Sequence, residues 1–194
     1  MEVLEKIFTV TLIAATLRTT APILLVALGG AFTTKAGIFN IGLEGQMLLG
    51  AFFAVLGSIW TGSALGGLAI GVLASVVVAM IFSLLVVTMR ANEVVVGLAL
   101  NIMAGGLTIS LSKAIFGVRG SIVSPDIVGL PALHLPYARE LGAFGKVISG
   151  YTPLVYLAFL MVFIVWLVLD STRLGLHIRV NGEKPEAAQS IGSQ

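Results

Sequence analysis

The chain contains no cysteine. That excludes a disulfide framework and any thiolate metal site. Its two histidines, His134 and His177, are far apart in sequence, so no histidine-based metal cluster is visible. Charge is also scarce: 10% of the 194 residues are Asp, Glu, Lys or Arg, where a soluble domain carries about 25%. The net charge of +2 is too small to argue for nucleic acid. No Gly-x-x-x-x-Gly-Lys-Ser/Thr phosphate loop occurs, and no stretch assembles a nucleophile with a base, so no catalytic residue and no cofactor is assigned. What remains is apolar: 58% of residues are hydrophobic and the mean hydropathy is +1.09. That composition reads as an all-α integral membrane protein whose main contact is lipid.

About five transmembrane helices are expected, since a crossing needs roughly 20 apolar residues. The first apolar region runs from Leu4 to Phe32, with a confident core at Thr19 to Phe32; Ile7 to Leu17 either extends it or lies at the interface. Glu2 and Glu5 precede it, and no small-residue cleavage site leads into a polar mature domain, so it does not read as a signal peptide. Further spans are expected at about Ile41–Trp60, Leu65–Met89, Glu93–Ser112 and Leu154–Leu169. Gly67, Gly71 and Ser75 share one helix face, either as a close-packing surface or as the ordinary glycine content of membrane helices. Gly97, Asn101 and Gly105 share another. Asn101 is polar within an apolar run, so it should face a neighbouring helix or a cavity. Residues 113–151 hold Pro125, Pro131 and Pro136 and read as a loop, with one short amphipathic piece at Tyr137–Ile148.

Two polar interruptions stand out. Thr33 to Gln46 places Lys35, Asn40, Glu44 and Gln46 between apolar runs, where burial is costly. Asn40 suits an N-cap, and Glu44 then sits near the positive end of the helix dipole. Arg90-Ala91-Asn92-Glu93 repeats the pattern, with Asn92 as cap and Glu93 at the first helical position. A weak internal echo aligns Lys35-Ala36, Gly42-Leu43, Gln46 and Gly50 with Arg90-Ala91, Gly97-Leu98, Asn101 and Gly105.

The run Gly37-x-x-Asn40-Ile41-Gly42-x-Glu44-Gly45-Gln46-x-x-x-Gly50-Ala51 resembles the signature of ABC-transporter permeases of the branched-chain amino acid, simple sugar and nucleoside importers. It is closest to the nucleoside/simple-sugar branch. The Pro-containing run Thr20–Gly30 and the Asn92-Glu93 helix start resemble the same group. So does the tail, through Gly175, Arg179, Gly182, Glu183, Pro185, Ala187, Ala188 and Gly192, although Val180 and Lys184 replace the usual Ala and Asn.

The resemblance implies a membrane-spanning permease subunit of an ATP-driven importer, in a bacterial or archaeal plasma membrane. It implies a separate ATPase subunit, a second permease subunit and a solute-binding protein as partners. Residues 171–194 would be a cytoplasmic coupling segment, with a short helix begun by Pro185 and Glu186 docking into the ATPase. Asn40, Glu44, Gln46 and Asn101 become candidates for gating or substrate contact. Arg173, Arg179 and Lys184 place the tail in the cytoplasm by the positive-inside rule. Counting back then puts Lys35 and Arg90 inside, and Trp60–Ala64 and residues 113–151 outside. Permeases of this group continue with further spans, so residues 1–194 are expected to be one incomplete permease domain, either a fragment or a truncated, non-functional permease. The other class of reading is an ion-gradient-driven transporter or channel. It calls for titratable groups at mid-depth, whereas Glu44 and Glu93 lie at helix starts.

Overall fold

In the computed structural model the described residues are 10–118, 120, 122–133 and 149–183. They form α1 (Val10–Lys35), α2 (Leu43–Thr61), α3 (Ala64–Ser83, continued by a π turn at Leu84–Thr88), α4 (Glu93–Phe116), α5 (Pro153–Ser171) and α6 (Arg173–Glu183). Five of these, α1 to α5, are long and apolar enough to cross a membrane. The chain is an all-α integral membrane protein.

The boundaries differ from the sequence reading at several helix ends. α1 is one continuous helix through Pro22, so residues 10–17 extend the span. α4 continues past Ser112 to Phe116 and ends on Gly117, whose φ of +70° is left-handed. α2 begins at Leu43, two residues later than expected. Residues 134–148, which include His134 and the whole amphipathic piece, lie outside the described residues.

The chain divides into two compact units: Ile38–Gly129, and Met1–Gly37 with Leu130–Gln194. In the first, α2 packs against both α3 and α4. Its contact with α3 is built from small residues. A Cβ on Gly67 would lie 2.6 Å from the Ala54 carbonyl oxygen, and one on Gly71 would lie 2.7 Å from the Gly50 carbonyl oxygen. Ser75 Oγ donates to the Gln46 carbonyl at 3.2 Å. Gly67, Gly71 and Ser75 are therefore a packing face, meeting the row Gln46, Gly50, Ala54 and Ser58 on α2. Lipid provides no hydrophobic drive between helices, so such close approach, with its dispersion contacts, supplies the association. Leu49, Val78, Phe82, Val96, Leu100 and Ala104 close the core between α2, α3 and α4. The π turn ends with Met89 N–H donating to Leu84 O and Ala91 N–H to Leu85 O, both at 3.0 Å. Between them Arg90 takes a left-handed φ of +54°.

In the second unit α1 packs on α5 around Ala21, Tyr151, Val155 and Ala158. The Arg18 guanidinium lies 6.0 Å from the Tyr151 ring centroid, within cation–π range. Burial pushes the Tyr151 phenol above its ordinary pKa, and the Arg18 charge opposes that shift. An isolated bridge joins Leu133 and Tyr151, with Leu133 N–H donating to Tyr151 O at 2.8 Å.

A Gly71→Val substitution should lower stability by at least about 2 kcal/mol, the upper part of the range for overpacking. Gly106→Ala, at a site with nothing within 4 Å of the added carbon, should stay within about 1 kcal/mol of wild type. Denaturant unfolding of the detergent-solubilised protein measures both. Equal effects of the two changes would refute the packing face.

Candidate functional site

The polar stretch before α2 is a bend whose backbone groups are satisfied largely from α4. Asn40 Oδ1 accepts from Gly42 N–H at 3.0 Å. Asn40 thus shapes a turn ahead of the helix, while Gly42 occupies the cap position. The sequence assigned the cap to Asn40; the structure moves that role to a residue on another helix. Asn101 Oδ1 accepts from Gly45 N–H at 2.8 Å, in the first turn of α2. Asn101 Nδ2 donates to the Ile41 carbonyl at 3.0 Å. One carboxamide therefore serves an amide hydrogen of α2 and a carbonyl of the bend.

The backbones must nearly touch for this geometry. A Cβ on Gly97 would lie 2.8 Å from Gly42 N, and a Cβ on Gly45 would lie 3.0 Å from the Leu100 carbonyl oxygen. A second tie lies at the start of α4. There Asn92 Oδ1 caps the helix by accepting from Val94 N–H at 3.0 Å and Val95 N–H at 3.2 Å. Glu93 Oε2 accepts from Phe39 N–H at 2.9 Å. This last contact escaped the sequence reading, because nothing local links residues 39 and 93.

The candidates do not all converge. Asn40 and Asn101 share the bend. Glu44 is exposed in the first turn of α2. The Gln46 backbone carbonyl accepts from Ser75 on α3, while its side-chain Nε2 is buried and has no partner among the described residues. Further along, α2 and α4 border a mostly apolar groove of about 470 Å³, lined by Leu48, Phe52, Val55, Thr108, Ile109 and Ser112 among others. Gly105, on the face of Gly97 and Asn101, also lines it. Among the described residues no group of three or more His, Cys, Asp or Glu is placed to hold a metal ion.

The tail candidates belong to the other unit. α6 begins where Thr172 breaks the line of α5. Thr172 Oγ1 donates to Val168 O at 2.6 Å and accepts from Gly175 N–H at 3.2 Å. Arg179 Nη1 pairs with Asp170 Oδ1 at 3.2 Å, and its Nε is buried without a partner among the described residues. Gly182 abuts the turn that ends α1: a Cβ there would collide with the Lys35 carbonyl oxygen and lie 2.8 Å from Gly37 N. Of Glu183 only the backbone is described, as the last residue of α6. Pro185, Glu186, Ala187 and Ala188 lie outside the described residues. Asp170, the partner of Arg179, lies one residue past the span expected at Leu154–Leu169 and carries no local signal of that pairing.

Long apolar helices and glycine-faced contacts between them define a multi-pass helical membrane protein. Residues 12–194 match the family described as branched-chain amino acid transport system / permease component, and the chain belongs to that family. It is 36% identical over 190 residues to a guanosine ABC transporter permease protein, NupQ, of Bacillus subtilis, covering 93% of this chain and 58% of that protein. It is 33% identical over 178 residues to a nucleoside ABC transporter permease protein, NupC, of Lactococcus lactis, covering 88% and 55%. A putative glucose ABC transporter permease protein of Haloferax volcanii is 32% identical over 189 residues, covering 95% and 55%. The chain thus spans a little over half the length of the curated relatives it matches. No solved structure gives a significant match. Family and helices together make the chain a multi-pass protein of the plasma membrane.

Asn101→Ala should cost about 1–3 kcal/mol, because it strands the Gly45 amide and the Ile41 carbonyl. Hydrogen exchange at the Gly45 amide should accelerate in that variant. Unchanged protection there would show that Asn101 does not cap α2.

Proposed function

We propose that this chain is part of the membrane-spanning permease subunit of an ATP-driven ABC importer for nucleosides or simple sugars. The carrying observation is the family match, which runs through both the bend before α2 and α6. The substrate class rests on the relatives, whose names specify guanosine, nucleosides and glucose. On this reading ATP is hydrolysed by a separate ATPase subunit. A second permease subunit completes the path, and a solute-binding protein delivers substrate at the outer face.

The candidate residues divide by what they touch. Asn40 and Asn101 hold the entrance of α2 and act as positioning residues of a gate. Glu44 and Gln46 have no side-chain hydrogen bond among the described residues, which leaves them available to substrate or to a moving neighbour. Arg179, Gly182, Glu183, Pro185, Glu186, Ala187 and Ala188 form the cytoplasmic coupling segment, and Glu183 to Ala188 are the part of it that receives the ATPase. The loop expected at 113–151 faces outside from Gly117 onward, since α4 takes residues 113–116.

The test is retention of the ATPase by tagged whole-length permease after mild detergent extraction, followed by uptake of tritiated guanosine and of labelled glucose into proteoliposomes. ATPase retention with uptake of either solute is the expected result. Absence of any ATPase would overturn the importer reading. Charge reversal at Glu183 or Glu186 should weaken retention by about thirtyfold or more, the lower end of the cost of breaking an interface charge pair. Wild-type retention in both variants would remove the tail from the docking surface.

A further inference from the structure

The fixed geometry of α6 goes further than the family match. α6 is fastened to α5 in three ways. Thr172 bridges them through its hydroxyl, the Arg179–Asp170 pair ties them at 3.2 Å, and Gly175 sits so close to the Val168 and Leu169 carbonyls that no side chain would fit. At its far end α6 meets a different helix. Gly182 lies against the Lys35 carbonyl oxygen and the Gly37 amide, and a Cβ on Gly37 would in turn lie 3.1 Å from Gly182 Cα. Gly37 also holds φ at +83°, a conformation that side chains disfavour. The contact is therefore glycine against glycine, backbone against backbone, with no flexible side chain between to absorb displacement. Packed contacts of this kind shift between discrete arrangements and do not stretch.

We infer that α5 and α6 move as one lever, and that Gly182 is the positioning residue through which this lever displaces the Lys35–Gly37 turn. That turn is covalently continuous with the Asn40–Gln46 bend. The inference rests on the importer reading and adds the place where the stroke enters the membrane helices. Arg179 then acts inside the chain, by bracing α6 on Asp170, and not as a contact to the ATPase.

The experiment uses the complete transporter, with ATPase and binding protein, in proteoliposomes. It follows whichever of guanosine or glucose the wild type carries. Gly182→Ala should keep the ATPase bound and ATP hydrolysis within about twofold of wild type, while solute moved per ATP falls by about tenfold, an ordinary size for a coupling effect. Asp170→Arg alone should uncouple in the same way, and Asp170→Arg with Arg179→Asp should restore most of the lost transport. In the wild-type protein, hydrogen exchange across residues 33–40 should change when nucleotide binds. Normal solute-to-ATP ratios in Gly182→Ala, loss of the ATPase from that variant, no rescue by the charge swap, or nucleotide-insensitive exchange at 33–40 would each overturn the inference. A wild-type complex that holds no ATPase would instead sink the importer reading itself.

Discussion

Backbone amides and carbonyls have no water to turn to inside a bilayer, so every break between helices must find partners within the protein. The break before α2 meets that demand through the side chains of Asn40, Glu93 and Asn101, and Asn101 alone serves both a donor and an acceptor. Asn101 supplies an acceptor to Gly45 N–H and a donor to Ile41 O from a position within α4. Remove that carboxamide and the first turn of α2 loses its cap, although the bend keeps its Glu93 and Asn40 contacts. The close approaches at Gly42, Gly45 and Gly97 serve that bond, because a methyl group at Gly45 or Gly97 would drive α4 away. The constraint accordingly fixes where three glycines stand, not only where one asparagine does.

The same economy governs the α2–α3 contact and α6. At the α2–α3 seam lipid tails would solvate a large apolar side chain almost equally well, and at α6 the ties to α5 are a hydroxyl, an ion pair and a close glycine approach. Small residues bring backbone against backbone, and a few hydroxyls and one ion pair fix the register. The large side chains, among them Val72, Leu73, Val77 and Met80 on α3, remain exposed, as suits a lipid-facing surface. What would signal aggregation in a soluble protein is here the expected exterior.

Much of this was legible in the sequence. The spans follow from apolar run lengths, and the start of α4 from Asn92 and Glu93, because caps and dipole effects are local. The Gly67, Gly71 and Ser75 face was visible as spacing, but only the α2 partner row decides that it packs. Asn40 misled for a physical reason. An asparagine ahead of a helix can cap it or shape a turn before it, and the choice fell to Asn101, which lies far along the chain. The echo between Gln46 and Asn101 does not extend to their contacts. Asn101 binds across helices at 2.8 Å, whereas the Gln46 Nε2 has no partner among the described residues. The Glu93–Phe39 and Arg179–Asp170 contacts had no pattern to betray them, since each depends on where helices cross.

The connection between α2 and α3 is only Gly62 and Ser63, with Gly62 at a left-handed φ of +61° and Thr61 Oγ1 donating to the Gly57 carbonyl at 2.7 Å. All the small residues of the α2–α3 seam lie within one helical hairpin. During synthesis such a hairpin can close as soon as its second helix leaves the translocon, before α4 exists to cap α2. Contacts of short sequence separation form early and need little loop-closure entropy. The seam of glycines therefore bears on biogenesis as well as on the finished protein. It offers the nascent chain a preassembled pair of helices onto which Asn101 later locks.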